Sequence, residues 1–336
     1  MAGAAPSFWW QEPGWRAAAL SPLAALYGAV ATYRLHHAPR EKVALPVLCV
    51  GNFTVGGSGK TPVVAALAAA ARVLGRSPGI LSRGYGGSVT GPHLVASGDD
   101  AGRVGDEPLL LAASAPVAVS RDRAAGARLL EATGCDFLIM DDGFQSAQLH
   151  MDYALLGLDA RHGVGNGRVL PAGPLRAPLA RQMRFATAIL LMGEGEAAAG
   201  VMRRAAQAAR PVFRAAIRPR ASLTGRRLLA FAGIGHPSKF FATAAEAGGS
   251  VVETRAFADH HVYSEAELAA LAQDAEKAGL DLATTAKDAV RIGRARLEAL
   301  MPGRVHVLDI GAVFAEEDAP RRIIEATLAA AGTRGS

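Results

Sequence analysis

Short apolar runs recur along the chain at 47–50, 78–82, 116–120, 137–140, 154–158 and 188–192. Each is continuously apolar rather than alternating, the pattern of a strand covered on both faces. Between several of them lie stretches with helical spacing, at 62–74, 109–113 and 123–133. Pro62 in a first turn and Gly75 just past a last one obey the asymmetry of helix ends, and Gly134 closes the third helix in the same way. Strand and helix therefore alternate from Val47 to Met192, which predicts an α/β fold with a mostly parallel sheet.

A second alternation starts at 228–233 and runs through a helix at 239–247, a strand at 250–252, a helix at 265–278, strands at 282–285 and 305–308, and a closing helix at 321–331. The boundary is placed near residue 220, between Pro219 and Gly225. The expected organisation is a core over 43–220 and a smaller α/β C-terminal domain over 221–331, with 1–42 attached to the core. A length of 336 residues suits two domains.

Residues 17–33 form an apolar stretch that contains Pro22 and Gly28. Trp9, Trp10 and Trp15 precede it, Arg16 and Arg34 bracket it, and His36, His37, Arg40 and Lys42 follow. Aromatic and basic flanks of this kind mark a helix lying in a membrane interface. The alternative is an N-terminal helix packed on the core. No positive leader precedes the stretch and no small-residue cleavage site follows it, so it does not read as a signal peptide.

Composition adds little to this outline. Half the residues are hydrophobic, and the net charge of +6 favours anionic partners such as nucleotides, nucleic acid or an anionic membrane face. A generally basic surface with no partner accounts for the same number. Cys49 and Cys135 are the only cysteines and have neither a disulfide nor a zinc spacing, which fits a reducing compartment.

The chemistry begins after the first strand. Thr54, Val55, Gly56, Gly57, Ser58, Gly59, Lys60 and Thr61 fit a phosphate loop, except that Thr54 stands where the strict pattern has glycine. Glycines let successive backbone N–H groups turn toward phosphate oxygens, and the following helix adds its positive end. Lys60 is placed to reach the β- and γ-phosphates of a nucleoside triphosphate, and Thr61 to ligate magnesium. Such a loop needs a carboxylate at a neighbouring strand end, and Asp141 and Asp142 stand after the strand at 137–140. A cap for the turn at Gly143 is the competing account of that pair. Asp106 and Glu107, ahead of Pro108, serve equally as a helix cap or as catalytic acids. Asp259, His260 and His261 offer an acid beside an imidazole, which suits proton transfer but also an ordinary surface pair. Lys287 and Asp288 are ambiguous. Asn-Lys-x-Asp is absent, since the only asparagines are Asn52 and Asn166, and this argues against a Ras-like GTPase.

Taken together, these motifs resemble the tetraacyldisaccharide 4′-kinase (lipid A 4′-kinase) family. The segments that carry the resemblance are 51–62, 82–87, 104–108, 141–145, 165–167, 170–176, 230–241 and 257–260, in the family's order. Thr54 is typical of that family. The resemblance implies a nucleotide-binding α/β core plus a smaller C-terminal domain, and transfer of the γ-phosphate of ATP to the 4′-hydroxyl of a tetraacyldisaccharide 1-phosphate, a step of lipid A synthesis. It implies Asp106 and His260 as the pair that accepts the hydroxyl proton, with Lys60 on the phosphates. Asp141, Asp142, Glu107 and Thr61 would serve Mg2+, and Arg83, Tyr85 and Arg176 the lipid headgroup. It further implies a peripheral protein on the cytoplasmic face of the inner membrane, a monomer with no nucleic-acid partner. Ala177 and Ala286 depart from the family, which has glutamate at both places. A nucleotide-switched membrane adaptor, or a phosphate-loop kinase for a soluble substrate, would share the loop but not need the acceptor base.

Overall fold

The computed structural model describes residues 5–56 and 59–334. Its strands, in chain order, are β1 (Val47–Asn52), β2 (Pro78–Ser82), β3 (His93–Leu94), β4 (Val117–Val119), β5 (Phe137–Asp141), β6 (Tyr153–Asp159), β7 (Ala188–Met192), β8 (Val212–Pro219), β9 (Arg227–Ala232), β10 (Ser250–Ala256), β11 (Asp281–Thr285), β12 (Val305–Leu308) and β13 (Ile310–Phe314). They form a large sheet in the order β13-β8-β7-β6-β1-β5-β2-β4-β3 and a small one in the order β10-β9-β11-β12. The large sheet is parallel except at its two edges, where β13 runs against β8 and β3 against β4. The small sheet is parallel throughout.

The continuous apolar strands follow from this arrangement. Successive residues of β1 point to opposite faces of the sheet. Val47 and Cys49 pack on one side with Leu138, Met140 and Leu156, while Leu48 and Val50 pack on the other with Ile80, Ile139 and Leu155. Helix Lys60–Val73 covers the second face through Val63, Val64, Leu67, Ala68 and Ala71. Helix Arg123–Ala132 helps cover the first through Ala124, Ala127 and Leu130. Cys49 and Cys135 are buried and unpaired with each other, and burial pushes the Cys49 thiol up to about 12, so it is an inert core residue.

The C-terminal end of the chain departs from the expected boundary. Only Asp309 separates β12 from β13, and β13 returns to the large sheet beside β8. Helix Ala319–Gly332, expected to close the smaller unit, places Ala319, Ile323 and Ile324 in the core against helix Lys60–Val73. The smaller unit therefore spans β9 to β12. Its two connections run side by side, with Arg220 N–H donating to the Asp309 carbonyl at 2.9 Å and its guanidinium 3.5 Å from the Asp309 carboxylate.

The N-terminal stretch is helical at Trp15–Ala19 and Ser21–His37. Pro22 sits in the first turn of the longer helix, where its missing N–H removes no bond. Gly28 lies against Pro178 and Val169, where a Cβ would make ordinary contacts at 3.7–3.8 Å. Ala24, Gly28 and Leu35 are buried, while Leu23, Leu26, Tyr27, Val30 and Tyr33 face outward. Among the described residues no helix is long and apolar enough to cross a membrane.

Candidate active site

β1 occupies the middle of the large sheet, and the phosphate-loop sequence leaves its C-terminal end to enter helix Lys60–Val73. Gly59 has φ +76° at the helix start, and a Cβ there would also press on Ile217, so glycine is required on both grounds. Gly57 and Ser58, two of the expected phosphate contacts, lie outside the described residues. Thr54 pairs with Leu175 across an isolated bridge, and Val55 N–H donates to the Pro174 carbonyl at 2.9 Å. The segment around Leu175 thus props the loop from one side.

Parallel pairing of β5 with β1 sets Asp141 opposite Val50, which brings both acids of the 141–142 pair to the loop. Lys60 Nζ stands 3.6 Å from Asp142 Oδ1, and Arg176 donates to Asp142 Oδ2 at 2.9 Å. Burial works against the Asp142 charge, but Lys60 and Arg176 hold its carboxyl below the usual range. Asp141 is different. Burial, with Glu107 and Asp142 nearby, pushes its carboxyl up to about 7 against the pull of Lys60 and Arg123, and its Oδ1 is buried without a hydrogen-bond partner among the described residues. Arg123, itself buried, donates to the carbonyls of Leu81 and Asp141 from behind.

Arg176, expected beside a substrate headgroup, points into this network. It also donates to the Thr54 carbonyl at 3.2 Å and to Gln145 Oε1 at 3.3 Å. Gln182, fully buried, donates to the carbonyls of Phe53 and Ala177 and accepts from Gln145. Neither glutamine was singled out in the sequence as a site residue, because one buried amide carries no spacing signal. Removing Gln182 leaves buried carbonyls unmatched, so Gln182→Ala is expected to cost about 1–3 kcal/mol. Urea unfolding checks this, and an unchanged midpoint would remove Gln182 from the support of the loop.

The second acidic pair faces the smaller unit. Gly105 has φ +91°, and a Cβ there would meet the Tyr85 carbonyl at 2.6 Å, so glycine lets Asp106 begin its helix against the loop at 83–87. Asp106 Oδ2 lies 3.1 Å from His260 Nδ1 and accepts from Arg291 Nε at 2.8 Å, with a further contact from Arg291 Nη2. Burial opposes its charge, yet the bonds from His260 and Arg291 hold the carboxyl at about 2. The same bond to Asp106 raises the His260 pKa above its ordinary value. His260 itself sits at φ +58°, a conformation that costs a non-glycine residue of order 1–3 kcal/mol and collects at functional sites. Tyr85, 67% exposed, has its ring centroid 6.0 Å from that of the imidazole, and Arg83 is exposed at the start of the same loop. Glu107, expected at the metal, bonds to Lys287 at 2.7 Å.

Arg291 is the residue that sequence reasoning missed. It lies on helix Ala286–Ile292, one turn beyond Asp288, and besides Asp106 it contacts Asp288 at 3.0 Å and the Gly233 carbonyl at 2.5 Å. The adjacent Lys287 and Asp288 were a faint pointer to this helix.

A profile of the family described as "Tetraacyldisaccharide-1-P 4'-kinase" matches residues 16–329. The chain belongs to that family. It is 58% identical over 332 residues to the tetraacyldisaccharide 4′-kinase of Mesorhizobium japonicum, covering 98% of this chain and 97% of the relative. It is 54% identical to that of a Chelativorans species over 333 residues, with 97% and 96% covered. Among solved structures, LpxK from Aquifex aeolicus, crystallised in complex with ATP, superposes with a TM-score of 0.73 at 27% identity, covering 93% of this chain and 99% of that one. The matched residues therefore take in both sheets.

Proposed function

We propose that this protein transfers the γ-phosphate of ATP to the 4′-hydroxyl of a tetraacyldisaccharide 1-phosphate, giving the 4′-phosphorylated precursor of lipid A. The observation that carries the reading is the Asp106–His260 pair, one residue from the core and one from the smaller unit, set at the lip of the phosphate-loop edge. We treat residues 1–42, the large-sheet core with its returning C-terminal helix, and the β9–β12 unit as the working divisions of the molecule.

Lys60 and the backbone N–H groups at the start of helix Lys60–Val73 hold the β- and γ-phosphates at its positive end. Asp106 fixes His260 through Nδ1, which leaves Nε2 to take the proton as the 4′-oxygen bonds to γ-phosphorus and the bond to the β-phosphate oxygen breaks, releasing ADP. Arg176 acts as a positioning residue for the loop and for Asp142, while Tyr85 and Arg83 face the acceptor.

The residues fit a hard divalent cation. Asp141 carries a buried carboxylate oxygen with no hydrogen-bond partner among the described residues, and Thr61 follows Lys60 at the helix start. Among the described residues no group of three His, Cys, Asp or Glu forms a ready-made cage, as suits Mg2+, which takes much of its shell from phosphate and water. Asp141 and Thr61 would hold it, with Asp142 and Glu107, each already paired to a cation, in support. When bound, it would neutralise charge on the β- and γ-phosphates.

The outward row Leu23, Leu26, Tyr27, Val30 and Tyr33 suits a peripheral seat on the cytoplasmic leaflet of the inner membrane, where the lipid acceptor would be met. A monomer suffices, since both halves of the site come from one chain. Incubation with labelled ATP, Mg2+ and the detergent-dispersed disaccharide lipid tests the activity. A 4′-phosphorylated product is expected, and its absence with competent substrate would refute the proposal.

A further inference from the structure

Beside the C-terminal end of the N-terminal helix lies a group of basic side chains that the kinase site does not use. The His36 ring meets the Phe185 ring edge-on at 4.9 Å between centroids, and the Arg40 guanidinium lies over Phe185 at 5.7 Å from its centroid. Arg181 and Arg184 are exposed on the short helix that carries Phe185, and Arg210 donates to the Arg184 carbonyl at 3.2 Å. Burial, then the charges of Arg184 and Arg181, lowers the His36 pKa, which favours its neutral form.

Among the described residues none of Arg40, Arg181, Arg184 and Arg210 forms an ion pair with an acid. Two guanidinium donors, Arg40 Nη2 and Arg210 Nε, and the ring nitrogen His36 Nε2 are buried without a hydrogen-bond partner there. Buried donors left unmatched are costly, and like charges gathered without a counter-charge repel. Both penalties vanish if an anion with several acceptor oxygens occupies the cluster.

The anion is not the nucleotide. Phe185 precedes β7 and Arg210 precedes β8, so the cluster lies where the parallel strands begin, whereas the phosphate loop lies where they end. The five residues of β7 alone separate the two edges by about 16 Å. The cluster instead adjoins the C-terminal end of helix Ser21–His37, the helix that carries the apolar row, through His36.

We propose that His36, Arg40, Arg181, Arg184 and Arg210 form a headgroup site for an anionic phospholipid of the bilayer, seated beside the apolar face that enters the leaflet. The inference rests on the reading of that face as a membrane contact and adds a charge requirement to it. The apolar row supplies attachment to any bilayer, and the cation cluster supplies preference for a phosphate-bearing, negatively charged one.

Flotation with phosphatidylcholine vesicles, and with vesicles that also contain phosphatidylglycerol, separates the two parts. Wild-type full-length protein is expected to bind the anionic vesicles more tightly, with an affinity that falls as salt rises. In the double variant Arg181→Gln/Arg184→Gln, both sites being exposed, affinity for the anionic vesicles is expected to fall about twenty-five-fold, at roughly fivefold per arginine. Binding to the neutral vesicles stays as it was. The variant Arg181→Lys/Arg184→Lys keeps the charge and is expected to restore most of the preference. Equal binding of wild type to both vesicles, or a glutamine variant that keeps the anionic preference, would overturn the headgroup site while leaving the apolar contact standing. The variant Leu26→Ser/Tyr33→Ser tests the underlying reading by itself. Undiminished binding to neutral vesicles in that variant would remove the apolar contact, and with it the basis of the proposal.

Discussion

Replacing His260 with alanine is expected to lower the rate of phosphoryl transfer by about 10²–10⁴-fold, the usual worth of a positioned general base. ATP affinity should hardly change, because the imidazole meets Asp106, Asp259 and Tyr85 and no part of the phosphate loop. The imidazole accepts a proton only when neutral, and its hydrogen bond to Asp106 favours the charged form. The rate should therefore fall as pH drops through a pKa raised above the ordinary 6.5. Asp106→Asn removes the main cause of that rise, so the acid limb of its profile should move to lower pH even as its maximum falls. A His260→Ala enzyme with wild-type turnover, or an Asp106→Asn profile that does not move, would separate this pair from the chemistry.

The large sheet could be read from the sequence because its central strands are buried on both faces and so are apolar without interruption. β2, β7 and β12 fall where their patterns put them. The edges were not readable in this way. In β8, Arg214 and Arg218 break the apolar run because one face of that strand is open, and β13 follows β12 with one residue between, too little for a turn signal. That closeness also hid the return of the chain to the core. No local pattern says that Ile323 and Ile324 pack on a helix 250 residues earlier rather than on the neighbouring strand; only the sheet order does.

The site was legible to the same degree. The phosphate loop declares itself through spacing and through strand–helix context, and Asp141 through its place at a strand end. Asp106 and His260 were ambiguous from the residues alone, since a cap and a catalyst have the same local sequence. What no local pattern carries is the contact between residues 106 and 260, made by docking of the smaller unit. Arg176 shows the converse. Its motif was clear, but its direction was not, and its guanidinium serves Asp142, Gln145 and the Thr54 carbonyl.

Arg291 joins the two units at this point, and its loss should be felt as much in stability as in rate. Its side chain is only 7% exposed and reaches from helix Ala286–Ile292 to Asp106 on the core, while also holding Asp288 and the Gly233 carbonyl. Asp288 keeps other partners, in Gly233 N–H, Tyr263 and Thr285. Asp106 keeps only His260 as a side-chain partner among the described residues. Arg291→Ala is thus expected to cost about 3–5 kcal/mol, the range for stripping one partner from a buried ion pair. Lysine at the same place carries the charge but cannot reach three acceptors at once, so it should recover only part of the loss. The pH dependence identifies the cause. Asp106 titrates at about 2 in the folded protein against an ordinary 3.8, so its pairing stabilises fully above 3.8 and is lost as pH falls toward 2. The stability gap between wild type and Arg291→Ala should narrow over that window. A gap that stays constant down to pH 2 would mean that Arg291 acts through packing of its stem, and that the two units are not held together by this charge pair.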